Sequence, residues 1–288
     1  MSAYRAFGSE AGKQALKADI RAKGPVYGAW LTDASLEGDL TSVSEQHGLH
    51  PALVRLLPAL GAFGQGDEAP AFYEALIEAI PVGAETGRLA RRAVLLAWNE
   101  PVYGRARRIA AGPVREACEA IVALVRLSID TPVDKPTWRA ARTRLTQAQR
   151  QDPAPEPLVD LVLSLAWDLE QSPGAAQDVM LAWTAQVSSE AEAADEDPFS
   201  EAEAAFFRST MDRINEEAFA AISDANDPDH AELEAFMEEA NKRWAADPVA
   251  QALKERALKK QGRIKARLAA WRAVVQQKVL EDAAALAV

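Results

Sequence analysis

Cysteine is nearly missing from this 288-residue chain: Cys118 stands alone, which excludes an intrachain disulfide and a zinc site built from several thiolates. Histidine is almost as scarce, with three in all, and His47 and His50 flank Gly48, so they cannot share one helical metal-binding face. No His-Glu-x-x-His, Cys-x-x-Cys or Glu-x-x-His pattern occurs, and neither a metal nor any other cofactor is expected. No uncharged apolar run approaches the ~18 residues that a membrane span requires. The first 24 residues carry charges throughout and lack the apolar centre of a signal peptide, so a cytoplasmic protein is expected. Alternating β-branched runs are also nearly absent, whereas alanine, leucine and glutamate are frequent. The fold class this predicts is all-α.

What is there is charge, unevenly placed. The formal net charge is −11, which disfavours a general nucleic-acid coating protein without excluding a local basic patch. Residues 190–247 hold 18 acids against 4 bases, residues 248–288 hold 9 bases against 3 acids, and residues 1–189 are close to balance with 22 acids and 19 bases. The acidity is therefore local. Asp247-Pro248 is a helix start, because the Asp side chain can cap free amides and Pro at the first position forfeits no hydrogen bond. From there Val249, Leu253, Ala257, Ile264, Leu268, Trp271, Val275, Val279 and Leu286 recur on one face, predicting a helix over 248–286 of roughly 58 Å. Lys260-Gln261-Gly262 interrupts the stripe, which is compatible with a kink or a polar break there and leaves the helix's continuity through Gly262 open. Lys259, Arg263 and Arg267 are a candidate docking face on this helix.

Ser200 to Glu203 is a capping box opening a further helix with Phe207, Met211, Ile214, Ala218 and Ile222 in register. Asp227-Pro228-Asp229 restarts the chain for another, carrying Phe236, Met237, Ala240 and Trp244. Three consecutive amphipathic helices predict an antiparallel three-helix unit in which acidic helices lie beside a basic one. Charge complementarity within the molecule is the simplest account of that arrangement.

Upstream, a helix is expected from Ser9 to Lys23, followed by an apolar patch at Val26, Tyr27, Trp30 and Leu31. In 40–57, Leu40, Val43, Gly48, Leu49, Val54 and Leu57 occupy positions that resemble a helix-turn-helix. The resemblance would imply DNA reading by the second helix. That helix offers only His50 and Arg55 as contacts, and Pro58 is expected to break it early. Gly61, Gly64 and Gly66 form a glycine-rich stretch, but no Lys-Ser/Thr follows and Asp67-Glu68 would repel phosphate. Helices follow at 70–80, 85–98, 102–111 and from Pro113, the last being the most apolar and the expected centre of the middle domain. In it Cys118 reads as a small buried hydrophobe with a disfavoured thiolate. Further helices are expected around Trp138 to Ala148, Leu158 to Glu170 and Pro173 to Val187. Leu-Ala-Trp occurs at Trp98, Trp167 and Trp183, and each Trp is expected to fill a similar gap between helices.

The domains predicted are 1–66, a small helical region; 67–187, a helical core domain; 188–198, an acidic linker; and 199–288, the three-helix unit. Arg88, Arg91, Arg92, Arg105, Arg107 and Arg108, with Trp98 and Tyr103 among them, are the candidate site for an anion or an acidic partner. No catalytic constellation is identified. The function expected is a non-enzymatic interaction protein: an adaptor, assembly factor or immunity-type binder working through helical surfaces, with a protein partner or self-association. The alternatives are a DNA-binding regulator using 40–57 and the arginine cluster, and an enzyme of unspecified class with a pocket in the middle domain.

Overall fold

The computed structural model describes residues 4–23, 40–61, 69–222 and 231–286. Among these are twelve α-helices and no strand, so the protein is all-α. The helices are α1 (Glu10–Lys23), α2 (Leu40–His47), α3 (Pro51–Leu60), α4 (Ala69–Ala79), α5 (Thr86–Asn99), α6 (Pro113–Leu127), α7 (Lys135–Gln151), α8 (Glu156–Leu165), α9 (Gly174–Ala193), α10 (Glu201–Ile222), α11 (Ala231–Ala246) and α12 (Pro248–Ala284). The apolar patch at 26–31, Gly64 and Gly66, and the restart at 227–229 lie outside the described residues.

The chain forms two compact units: Met1–Val187 together with Ala269–Val288, and Ser188–Leu268. The last stretch of α12 thus groups with the first unit, whereas the sequence reading assigns all of 199–288 to one C-terminal domain. Two boundaries also move. Helix α9 continues to Ala193, into the stretch expected to be a linker. Helix α8 stops at Leu165, where Ala166 turns the chain, five residues before the expected end.

The first unit is built around helices with little polar surface. In α3, Leu53, Val54, Leu56, Leu57 and Leu60 are all buried. The helix also runs through Pro58, contrary to the expected break. Proline inside a helix costs about 3 kcal/mol, and burying a leucine returns about 1.5–3 kcal/mol, so the surrounding leucines outweigh it. Gly48 joins α2 to α3 at φ +62°, and a Cβ there would lie 1.9 Å from the Arg5 carbonyl oxygen, so only glycine fits. Helix α6 packs against α5, α7 and α8 and buries Val114, Ala117, Cys118, Ile121, Val122 and Val125. It has the central position its composition predicts. From α12, Trp271, Val275 and Val279 are buried in this unit, and Trp271 meets Trp183 edge-on at 5.1 Å.

The segment 102–111 holds only a single 3-10 turn, Arg105–Arg108, instead of the expected helix. The reason is local. Glu100 caps α5 and its carboxylate accepts from the amides of Val102 and Tyr103, while the Gly104 amide donates to the Glu100 carbonyl oxygen. Those bonds commit the backbone to a turn before a helix can nucleate.

In the second unit the capping box forms as predicted: the Glu203 amide donates to Ser200 Oγ at 3.2 Å and the Ser200 amide to Glu203 Oε2 at 2.9 Å. Ile214 and Ala218 of α10, Ala240 and Trp244 of α11 and Ala250 of α12 share a core, with Phe207 and Phe236 against it. Helix α12 is continuous through 260–262. A lone glycine costs a helix about 1 kcal/mol, which is too little to break one of this length.

Candidate functional site

Of the arginines expected to form one anion site, Arg88, Arg91 and Arg92 are paired with the protein's own carboxylates. Arg88 pairs with Glu85 at 3.6 Å and Asp130 at 3.4 Å, and Arg92 pairs with Asp282 at 3.5 Å. Arg91 is buried and donates to Glu170 at 3.0 Å, with Asp168 at 3.9 Å. Trp98 and Arg105 are also buried, and Tyr103 is half-buried with its carbonyl accepting from Trp183 Nε1 at 2.9 Å. Arg107 and Arg108 are exposed, and Arg88 and Arg92 are half-buried. Three of the eight, Arg91, Trp98 and Arg105, are thus closed to a partner in this structure.

The C-terminal docking face meets the same correction. Arg263 makes a two-pronged pair with Asp195, at 2.7 and 3.0 Å, and Arg267 donates to the Ala191 and Ala194 carbonyl oxygens at 2.9 Å each. Arg256 binds Asp197 at 2.7 and 3.1 Å and Glu203 at 2.5 Å. Bidentate arginine–carboxylate pairs are the strongest of the charge-assisted bonds. These cations hold the second unit's own acidic segment; of the three, Lys259 and Arg267 are exposed and Arg263 is half-buried.

A cleft of about 420 Å³ in the first unit contains a second cluster, with Arg88, Arg91, Asp130, Asp168 and Glu170 in its wall. Buried His50 sits behind it, its Nε2 3.2 Å from Glu170 Oε2. The His50 Nδ1 accepts from the Ala52 amide at 3.1 Å and so carries no proton, which leaves the ring N–H on Nε2 to donate to Glu170. Both nitrogens are therefore occupied, one as the cap of α3 and one as a fixed donor. With no free lone pair, His50 cannot act as a general base in this arrangement. The His50 hydrogen bond and the Arg91 guanidinium hold the Glu170 carboxyl down to about 2, against its partial burial. Gly87 belongs to the same packing, since a Cβ would lie 2.9 Å from His50 Cδ2 and 3.0 Å from Arg91 Nη1. The cluster reads as a lock between α3, α5 and the chain after α8.

The surface with unspent charge is on α7, and no residue of it was singled out from the sequence. The helix carries Lys135, Arg139, Arg142, Arg144 and Arg150 and not one acid. Four of the five are exposed and Arg142 is half-buried. Lys135, Arg139, Arg142 and Arg150 fall within about 80° of one another around the helix axis, outside the side that buries Trp138, Leu145 and Ala148. Among the described residues the ion pair these cations make is Arg144 with Glu116 at 3.8 Å, both exposed, an arrangement that contributes little. Asp134, just before the helix, is spent capping the Thr137 amide at 2.7 Å.

Two shallow grooves flank this stripe. One, of about 630 Å³, runs from Lys135 and Pro136 to Arg144 and Gln147. The other, of about 690 Å³, lies between Arg139, Arg142 and Arg150 on one side and Asp160, Leu163 and Trp167 on the other. Trp167 is 44% exposed, so it does not fill an interior gap as Trp98 and Trp183 do. The Arg142 guanidinium lies 4.0 Å from its ring centroid and donates to the Ala166 carbonyl at the end of α8. Burial, and secondarily the like charge of Arg139, lowers the proton affinity of Arg142. Thr143, Thr146 and Gln147 add exposed hydrogen-bonding groups between the cations. The signal that could have found this face was five bases without an acid over Lys135–Gln151, which the search for arginines interleaved with aromatics passed over.

Helix α3, the counterpart of a reading helix in the helix-turn-helix resemblance, is core: His50 is 1% exposed, and Arg55 is only half-buried at its surface. Cys118 is fully buried, and burial pushes its thiol up to about 12. No helix among the described residues is long and apolar enough to cross a membrane. Compared with known proteins, the chain matches no family model, no curated protein and no solved structure.

Proposed function

We propose that this is a non-enzymatic interaction protein that docks an acidic protein partner on the cationic face of α7. The observation that carries the reading is Lys135, Arg139, Arg142 and Arg150 aligned on one helix face without ion pairs among the described residues, in a chain of net charge −11. Elsewhere Arg88, Arg91, Arg92, Arg256 and Arg263 are paired with carboxylates. Four like charges left side by side repel one another, and an incoming set of carboxylates relieves that repulsion. Arg142 and Trp167 supply a preorganised planar contact at the centre of the groove.

A single nucleic-acid strand is the competing occupant, favoured by the half-exposed Trp167 beside arginine. Against it, Trp167 is, among the described residues, the one aromatic lining either groove, whereas strand binding stacks successive bases on several. The test uses fluorescence anisotropy with labelled poly-L-glutamate and with a labelled single-stranded oligonucleotide of similar length. The reading expects polyglutamate to bind at about 50 mM salt and to be released as salt rises above the screening range. Replacing Arg139, Arg142 and Arg150 by Glu should weaken it roughly tenfold or more. Unchanged polyglutamate affinity in that variant overturns the reading. Preference for the oligonucleotide replaces it with the nucleic-acid one.

A further inference from the structure

The second unit carries the complement of the α7 face. Residues 188–268 hold 19 acids and 11 bases, and the strongest of those bases are turned inward: Arg256 and Arg263 are fixed on Asp197, Glu203 and Asp195. Both signs remain exposed in this unit, Lys259 and Lys265 among the bases, but one face of α10 is acidic. On α10, Glu201, Asp212 and Glu216 are exposed and make no ion pair among the described residues. At 100° per residue they lie within about 60° of one another. Arg208 is the one base on that face, and Phe219, 65% exposed, stands at its C-terminal end.

We infer that the acidic partner of α7 is the α10 face of another copy of this chain. The inference rests on the reading of α7 as a docking face and adds the identity of what docks. Two observations support it besides the signs of the charges. The cations from Lys135 to Arg150 and the anions from Glu201 to Glu216 each span fifteen residues of helix, about 22 Å, so the two rows match in length. Each face also carries an exposed apolar group that a solvated face would not need: Trp167 with half-buried Leu163 beside the middle of the α7 row, and Phe219 at the end of the α10 row. Charge rows set the register while these apolar groups supply contact area. The two surfaces differ, so the contact is head-to-tail, and it propagates to a closed ring or an open chain rather than stopping at a two-fold dimer.

Sedimentation velocity of the full chain from about 5 to 500 μM, at about 50 mM salt and again at high salt, tests this. The expected result is mass growing with concentration at low salt and a 31.1 kDa monomer at high salt. Two variants separate the faces. Arg139→Glu/Arg142→Glu/Arg150→Glu reverses α7, and Asp212→Lys/Glu216→Lys reverses part of α10; circular dichroism checks that each is folded. Each alone should be monomeric, and an equimolar mixture should associate, because one variant keeps the α10 face and the other keeps α7. Wild-type protein that stays monomeric throughout, or association that survives reversal of α7, overturns the inference. If the wild type is monomeric but still binds poly-L-glutamate in an α7-dependent way, the docking reading stands and only the second copy is refuted.

Discussion

Glu170 accepts from two donors at once, buried His50 on one oxygen and Arg91 on the other. Its carboxyl is held to about 2, below the ordinary glutamate range, so the folded state loses a proton more readily than the unfolded one. That contribution to stability is complete above the unfolded pKa of about 4.3 and disappears as pH falls toward 2. Glu170→Gln should therefore be less stable than wild type at neutral pH, and the gap should narrow on acidification across that window. Urea midpoints measured from pH 6 to pH 2.5 check it; a gap that widens in acid would refute the assignment. Cys118 gives a simpler expectation at the same scale. With no exposed surface and a thiol pushed up to about 12, it should resist a disulfide exchange reagent in the native protein and react once the chain is unfolded. Its burial was legible from Val114, Ala117, Ile121 and Val122 around it. The role of His50 was not, because its partner Glu170 is 120 residues away and sequence periodicity carries no information at that range.

Helix α12 shows how far local chemistry reaches. Its start at Asp247-Pro248 is the one expected, with Asp247 Oδ1 accepting from the Val249 and Ala250 amides at 3.0 and 3.2 Å. The helix continues through Gly262 because helix propensity is a small term against thirty-seven residues of continuous helix. A Cβ at Gly262 would meet nothing within 4 Å, so Gly262→Ala should stabilise the protein by about 0.5–1 kcal/mol, seen as a raised denaturation midpoint. The basic residues of this helix were visible, but not their employment. Arg263 fills the bonds of Asp195, whose side chain is 1% exposed. Arg263→Ala should lower Tm by several degrees by leaving that carboxylate without its partner. Arg263→Lys should recover only part of the loss, since an ammonium cannot make the two-pronged contact. Equal stability of Arg263→Ala and wild type would show that the pair contributes nothing.

Across the whole molecule, the all-α class followed from composition and periodicity, which depend on residues a few positions apart. Which charges are spent did not follow, because that depends on contacts between distant segments: Arg92 with Asp282, Arg91 with Glu170, Arg256 with Asp197. Hence much of the arginine run at 88–108 proved engaged within the protein, while α7, with as many bases for its length, proved open. The central claim is that position on α7, rather than positive charge in general, makes the binding surface. The most direct measurement compares two variants of equal charge. One reverses Arg139, Arg142 and Arg150 to Glu; the other reverses exposed Arg107, Lys259 and Lys265 to Glu. Both are titrated against labelled poly-L-glutamate at low salt. The account predicts roughly tenfold or greater weakening in the first and near wild-type affinity in the second. Equal weakening in both would reduce the effect to net charge and contradict a binding face on α7.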